Sequence, residues 1–77
     1  MASKCLGDSP YERLANAIIF QAVLEYRRAL RKLKKNPERK ELLDNVVIIE
    51  KFFRSELYQV LTTIDGEYLI NRIRKEI

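Results

Sequence analysis

The side chains able to do chemistry are few, and most of them sit in one stretch. Arg27-Arg28-Ala29-Leu30-Arg31-Lys32-Leu33-Lys34-Lys35 places six basic residues in nine. Cations at that density can neutralise backbone phosphates and release counterions, a mode of binding that falls steeply with salt. The same surface suits an acidic protein. A plainer account is a solvated face: Lys and Arg are strong helix formers, and positive charge in the last turns of a helix offsets its dipole. In that account Glu41, Asp44 or Glu50 of a neighbouring element would pair with some of them. The candidate contacts for nucleic acid or an acidic partner are therefore Arg27, Arg28, Arg31, Lys32, Lys34 and Lys35.

Catalytic groups are scarce. The chain has no His, which removes the commonest general base and the commonest metal ligand. Cys5 has no imidazole to activate it, and Ser3, Ser9 and Ser55 have no nearby base. Glu38, Glu41 and Asp44 recur at spacing three, but acidic residues in a first turn already favour the helix dipole. Asp65-Gly66-Glu67 resembles a fragment of a calcium loop without the remaining ligands. Gly7 and Gly66 are the two glycines, too few for a phosphate-cradling loop. The expectation is a protein that is not an enzyme, with no cofactor, no metal and no small-molecule substrate.

The elements that must position these residues follow from punctuation and periodicity. The chain is 47% hydrophobic and 34% charged, with two Gly and two Pro, a composition of helix formers. Residues 1–9 read as a flexible tail and 10–77 as a single helical domain. Asp8-Ser9-Pro10 signals a helix start, and a first helix runs from about Tyr11 to Lys35. Its inward stripe is Ile19, Val23, Tyr26, Leu30 and Leu33, widened by Ala15, Ala22 and Ala29. Asn36-Pro37-Glu38 ends it and starts the next helix, with Asn36 as N-cap and Pro37 in the first turn. So short a connection implies an antiparallel helical hairpin. The second helix turns Leu42, Val46, Ile49 and Phe53 inward and Asp44, Glu50, Lys51 and Arg54 outward. A break at Ser55 caps a short helix, Glu56 to about Leu61, with Leu57, Val60 and Leu61 apolar. Asp65 or Thr63 caps a last helix from Gly66 carrying Leu69, Ile70, Ile73 and Ile77. The fold class is all-α: an antiparallel helical hairpin followed by a short helix and a C-terminal helix, in a small bundle.

Charge is unevenly distributed over this frame. Residues 1–40 carry ten Lys/Arg against four Asp/Glu, and residues 41–77 five against seven. One cysteine cannot form an intramolecular disulfide, so a reducing cytoplasm is the expected location. No stretch approaches the ~20 apolar residues of a membrane span, and Met1 to Pro10 lacks the apolar run of a signal peptide. No membrane association is expected.

Not all apolar residues fit the inward stripes. Leu14, Ala17, Ile18, Ile19, Phe20, Val23 and Leu24 nearly encircle the first helix, and a helix apolar all round is buried on more than one side. Either the C-terminal segment or another chain covers Phe20 and Leu24. Val47 lies off its stripe in the same way, and Tyr58 and Tyr68 have the amphipathic rings that anchor interfaces. The candidate interface is thus Phe20, Leu24, Val47, Tyr58 and Tyr68. The span Ser55–Lys75 has the outline of a helix-turn-helix, but Asp65 and Glu67 at its base-contacting end suit a phosphate-lined groove poorly. No strand-borne aromatic motif for RNA is present.

Tyr11-Glu12-Arg13-Leu14-Ala15-Asn16-Ala17-Ile18, Phe52-Phe53-Arg54-Ser55-Glu56-Leu57 and Asp65-Gly66-Glu67-Tyr68-Leu69-Ile70 together resemble small uncharacterised proteins encoded by prophages and integrative mobile elements of Gram-positive gut bacteria. The resemblance spans Tyr11 to Lys75 and brings no activity and no functional residues. It implies a short accessory protein that acts by binding, such as a regulator or inhibitor of a host system. The expected function is accordingly protein–protein binding, with a homodimer as part of it because two-fold pairing buries apolar stripes symmetrically. The alternative is nucleic-acid binding through the basic face of the first helix.

Overall fold

The computed structural model describes residues 10–77; the N-terminal tail read at residues 1–9, with Cys5, lies outside them. Four helices follow in order, α1 (Pro10–Lys35), α2 (Lys40–Phe53), α3 (Glu56–Leu61) and α4 (Gly66–Glu76), and no strand occurs among the described residues. Pro10 occupies the first position of α1, where its missing N–H is not needed. The long α1 packs along α2 as the hairpin that the short connection implies, and α3 and α4 pack on both.

The connection differs from the sequence reading. Asn36 closes α1 rather than capping α2: its backbone N–H donates to the Lys32 carbonyl at 3.0 Å, as does its side-chain amide at 3.3 Å. The Arg39 N–H then donates to the Asn36 carbonyl at 3.0 Å, closing a four-residue turn. Asn at the first and Pro at the second position are what such a turn favours. Glu38 therefore sits in the turn, and α2 starts from Arg39, whose side chain makes no cap bond.

Ser55 does break the chain as expected. Its hydroxyl accepts the Tyr58 N–H at 3.1 Å and donates to the Phe52 carbonyl at 2.7 Å, ending α2 and opening α3 with one side chain. Asp65 occupies the N-cap position of α4 without a side-chain cap bond.

The core joins all four helices. Tyr26 from α1, Val46, Ile49 and Phe53 from α2, Tyr58 from α3 and Ile70 and Ile73 from α4 form one cluster, with Ala29 and Leu30 beside them. Ile19, Ala22, Val23, Leu33, Phe52, Leu69 and Ile77 are partly buried against it. Phe53 meets Tyr26 edge-on at 5.6 Å and Tyr58 at 5.7 Å between ring centroids, the arrangement that places positive ring edges against negative faces.

Two expectations are overturned in this core. Tyr58, a candidate for the interface, is 1% exposed. It is the inward residue of α3, while Leu57 and Val60 face outward at 59% and 68%. α3 is only six residues long, and its fully inward position is taken by Tyr58, whose ring packs edge-on against Phe52 and Phe53. Glu50, read as outward, is 7% exposed, because Tyr26 and Arg74 converge on it.

Candidate interaction surfaces

The six basic residues of α1 separate into two groups. Arg27 pairs with Glu76 at 2.8 Å, and the Lys34 ammonium donates to the Ile77 carbonyl at 2.7 Å. Both therefore hold α4 against α1. Arg28, Arg31, Lys32 and Lys35 are exposed and make no ion pair with another described residue. The acidic side chains expected to answer them are engaged elsewhere or stand apart. Glu41 pairs with Arg39 at 2.9 Å, and Glu50 with Arg74 at 2.5 Å and Arg54 at 3.5 Å. Phe20, at 62% exposure, and the half-buried Leu24 stand on the outward side of α1 at helical spacing from Arg28, Arg31 and Lys35. α4 does not cover Phe20.

Glu50 anchors the opposite side of the hairpin. The Tyr26 hydroxyl donates to it at 2.5 Å, and Arg74 donates through Nε and Nη2 at 3.2 and 2.5 Å. Burial pushes the Glu50 carboxyl up, but the hydrogen bonds from Tyr26 and Arg74, with the charges of Arg74 and Arg54, outweigh it and hold it below the ordinary carboxylate range. Burial first, and then the bond to Glu50, push Tyr26 up to about 12, so it remains a neutral donor. Glu67, bonded by Arg54, and Glu76, bonded by Arg27, are also held low. Val47 and Leu43 share this flank of α2 by helical spacing, exposed at 41% and 49%. Tyr68 is 56% exposed on α4 and accepts a bond from Arg72 at 3.1 Å. The structure thus does not gather the interface candidates into one surface: Phe20 and Leu24 lie on α1, Val47 on a flank of α2, Tyr68 on α4, and Tyr58 inside.

A cleft of about 560 Å³ opens between the end of α2, α3 and the start of α4, with Gln59, Thr62, Thr63 and Asp65 in its wall. The Tyr58 hydroxyl beside it is buried and has no hydrogen-bond partner. Ser55 is committed as a cap. Among the described residues no three His, Cys, Asp or Glu side chains converge as metal ligands.

The face of the hairpin turned away from α4 carries the surface that sequence reasoning did not single out. Ile18, Gln21, Ala22 and Glu25 of α1 and Ile48, Ile49 and Phe52 of α2 line a mostly apolar groove of about 300 Å³. A second groove continues it toward the connection, lined by Glu25, Arg28, Ala29 and Lys32 with Asn45 and Ile49. Glu25 and Ile49 belong to both, so the two form one trough along the α1–α2 seam, apolar at one end and charged at the other. No residue of α3 or α4 lines it. Ile48 at 64% and Ile18 at 40% are its exposed apolar walls. The available signal was the apolar encirclement of α1 at Leu14 and Ile18.

No helix among the described residues is long and apolar enough to cross a membrane. No protein-family model matches the chain, and no curated protein or solved structure matches it either.

Proposed function

We propose that this is a non-catalytic accessory protein that works by binding another polypeptide in the trough along the α1–α2 seam. The observation that carries the reading is the exposure of Ile18 and Ile48 across a groove that neither α3 nor α4 covers. Fully burying an exposed isoleucine is worth about 1.5–3 kcal/mol, and covering the part of Ile48 and Ile18 still open to water recovers a fraction of that at each, so the chain gains by finding a partner for this face. The mobile-element resemblance of its helical phrases fits a short protein acting by association, as a regulator or inhibitor of a host system. A photo-crosslinking residue at position 48, in cells that make the protein, tests the idea. A polypeptide adduct at 48 that does not form from position 38, in the exposed turn, is the expected result; equal labelling at both positions, or none, refutes it.

A second reading is favoured by one observation of its own. Arg28, Arg31, Lys32 and Lys35 are exposed cations without ion-pair partners among the described residues, a charge distribution suited to a nucleic-acid backbone. This reading requires salt-sensitive binding to duplex DNA or single-stranded RNA by fluorescence anisotropy.

A further inference from the structure

We propose that the basic face of α1 takes single-stranded nucleic acid, with Phe20 as the platform on which a base stacks. The proposal rests on the nucleic-acid reading above, and it adds the strandedness of the ligand and the residue that senses it.

Arg13, Phe20, Leu24, Arg28, Arg31 and Lys35 are spaced seven, four, four, three and four residues apart along α1. Those intervals keep all six on one face of a helix. Glu12 and Glu25, the two acidic residues of α1, fall outside the series. Arg13, like Arg28, Arg31 and Lys35, is exposed and makes no ion pair with another described residue. At ~1.5 Å rise per residue, Arg13 stands ~10 Å to one side of Phe20 along the axis, and Arg28, Arg31 and Lys35 stand ~12, ~17 and ~22 Å to the other. An apolar ledge is thus flanked by cations at both ends.

Phe20 is 62% exposed, and its ring packs against no other aromatic among the described residues. The half-buried Leu24 lies one turn further on. A duplex would answer the cations with phosphates, but its bases keep their faces in the stack, so the ring would meet only charged backbone. A single strand offers the same phosphates together with unstacked bases, each with a π face that an exposed aromatic ring can cover. An anionic bilayer also attracts cations, but helices that lie in one set their cations and their apolar residues on opposite faces. Here both kinds share one face.

Fluorescence anisotropy tests the assignment, at two salt concentrations, with oligothymidylate, oligouridylate and a duplex of equal length as probes. The unaltered protein should bind at least one of the single strands about tenfold more tightly than the duplex. A preference for oligouridylate would point to RNA as the natural source of the strand, and one for oligothymidylate to DNA; either supports the proposal. Phe20→Ala should weaken single-strand binding about tenfold without altering its dependence on salt, because stacking neutralises no phosphate. The chain contains no Trp, so Phe20→Trp puts a single indole on this face, and its emission should be quenched as the strand binds. Phe20 lies outside the core, and circular dichroism should show both variants as helical as the unaltered protein. Equal affinity for single strand and duplex with no effect of Phe20→Ala, or binding without quenching, overturns the proposal and leaves a phosphate-binding face. Polyglutamate bound as tightly as the single strands overturns it in favour of an acidic protein. Absence of binding to every nucleic acid at low salt removes the nucleic-acid reading as well.

Discussion

Glu50 has a side chain only 10% exposed, yet it is held ionised by Tyr26 and Arg74. Its folded pKa is depressed, so its stabilising contribution is complete above the unfolded value near 4.5 and is lost as pH falls through the lower folded value. Glu50→Gln, which keeps the shape but not the charge, should cost about 2 kcal/mol at neutral pH. Urea denaturation should show that gap narrowing once the pH is below the ordinary carboxylate range; a gap independent of pH would refute the ionic account. Part of this network was legible from the sequence. Tyr26 falls on the inward stripe, and a buried phenol needs a partner. Glu50 lies four residues after Val46 and three before Phe53, both inward, so its neighbourhood was buried. A wheel drawn for the hairpin alone hides it, because α4, which supplies Arg74, comes from 24 residues away.

Helix ends are where local sequence spoke most clearly and where it also misled. Ser55 ends one helix and caps the next, a role fixed by its own hydroxyl and a break in apolar period. The Asn36-Pro37 step was ambiguous because the same residues suit a helix N-terminus and a turn, and the choice belongs to the backbone of Arg39. Gly66 was legible as a helix start, but the need for glycine was not, since that need comes from a distant chain segment. A Cβ at position 66 would lie 2.0 Å from the Phe53 carbonyl oxygen and 3.0 Å from its carbon. Both atoms are backbone at the end of α2, so the helices would have to separate. Gly66→Ala should destabilise the protein by about 1–3 kcal/mol or more, read as a lower urea midpoint. An unchanged midpoint would mean that α4 does not dock this closely.

Across the whole molecule, the inward stripes of α1, α2 and α4 predicted their shares of the core because each is a local period, whereas Tyr58, the contribution of the short α3, was not among them. The trough was not legible because it depends on which face α4 leaves open. The positive field is likewise a property of the assembled chain, since docking α4 engages Arg27 and Lys34 and leaves four cations of the six. If these four contact duplex phosphates, the logarithm of affinity should fall against the logarithm of salt concentration with a slope of about −3.6. Arg28→Glu, Arg31→Glu and Lys35→Glu together should abolish that binding while leaving the helical circular-dichroism signal intact. A slope near zero in the unaltered protein would leave the outward face of α1 to solvent or a protein.

The trough is built wholly from α1 and α2, which are neighbours in sequence, whereas α4 is tied to α1 by the Arg27–Glu76 pair across 49 residues. Contacts between neighbours close shorter loops and form sooner. During synthesis, every residue that lines the trough is therefore present once Phe53 has been added, before the segment that forms α4 has been made.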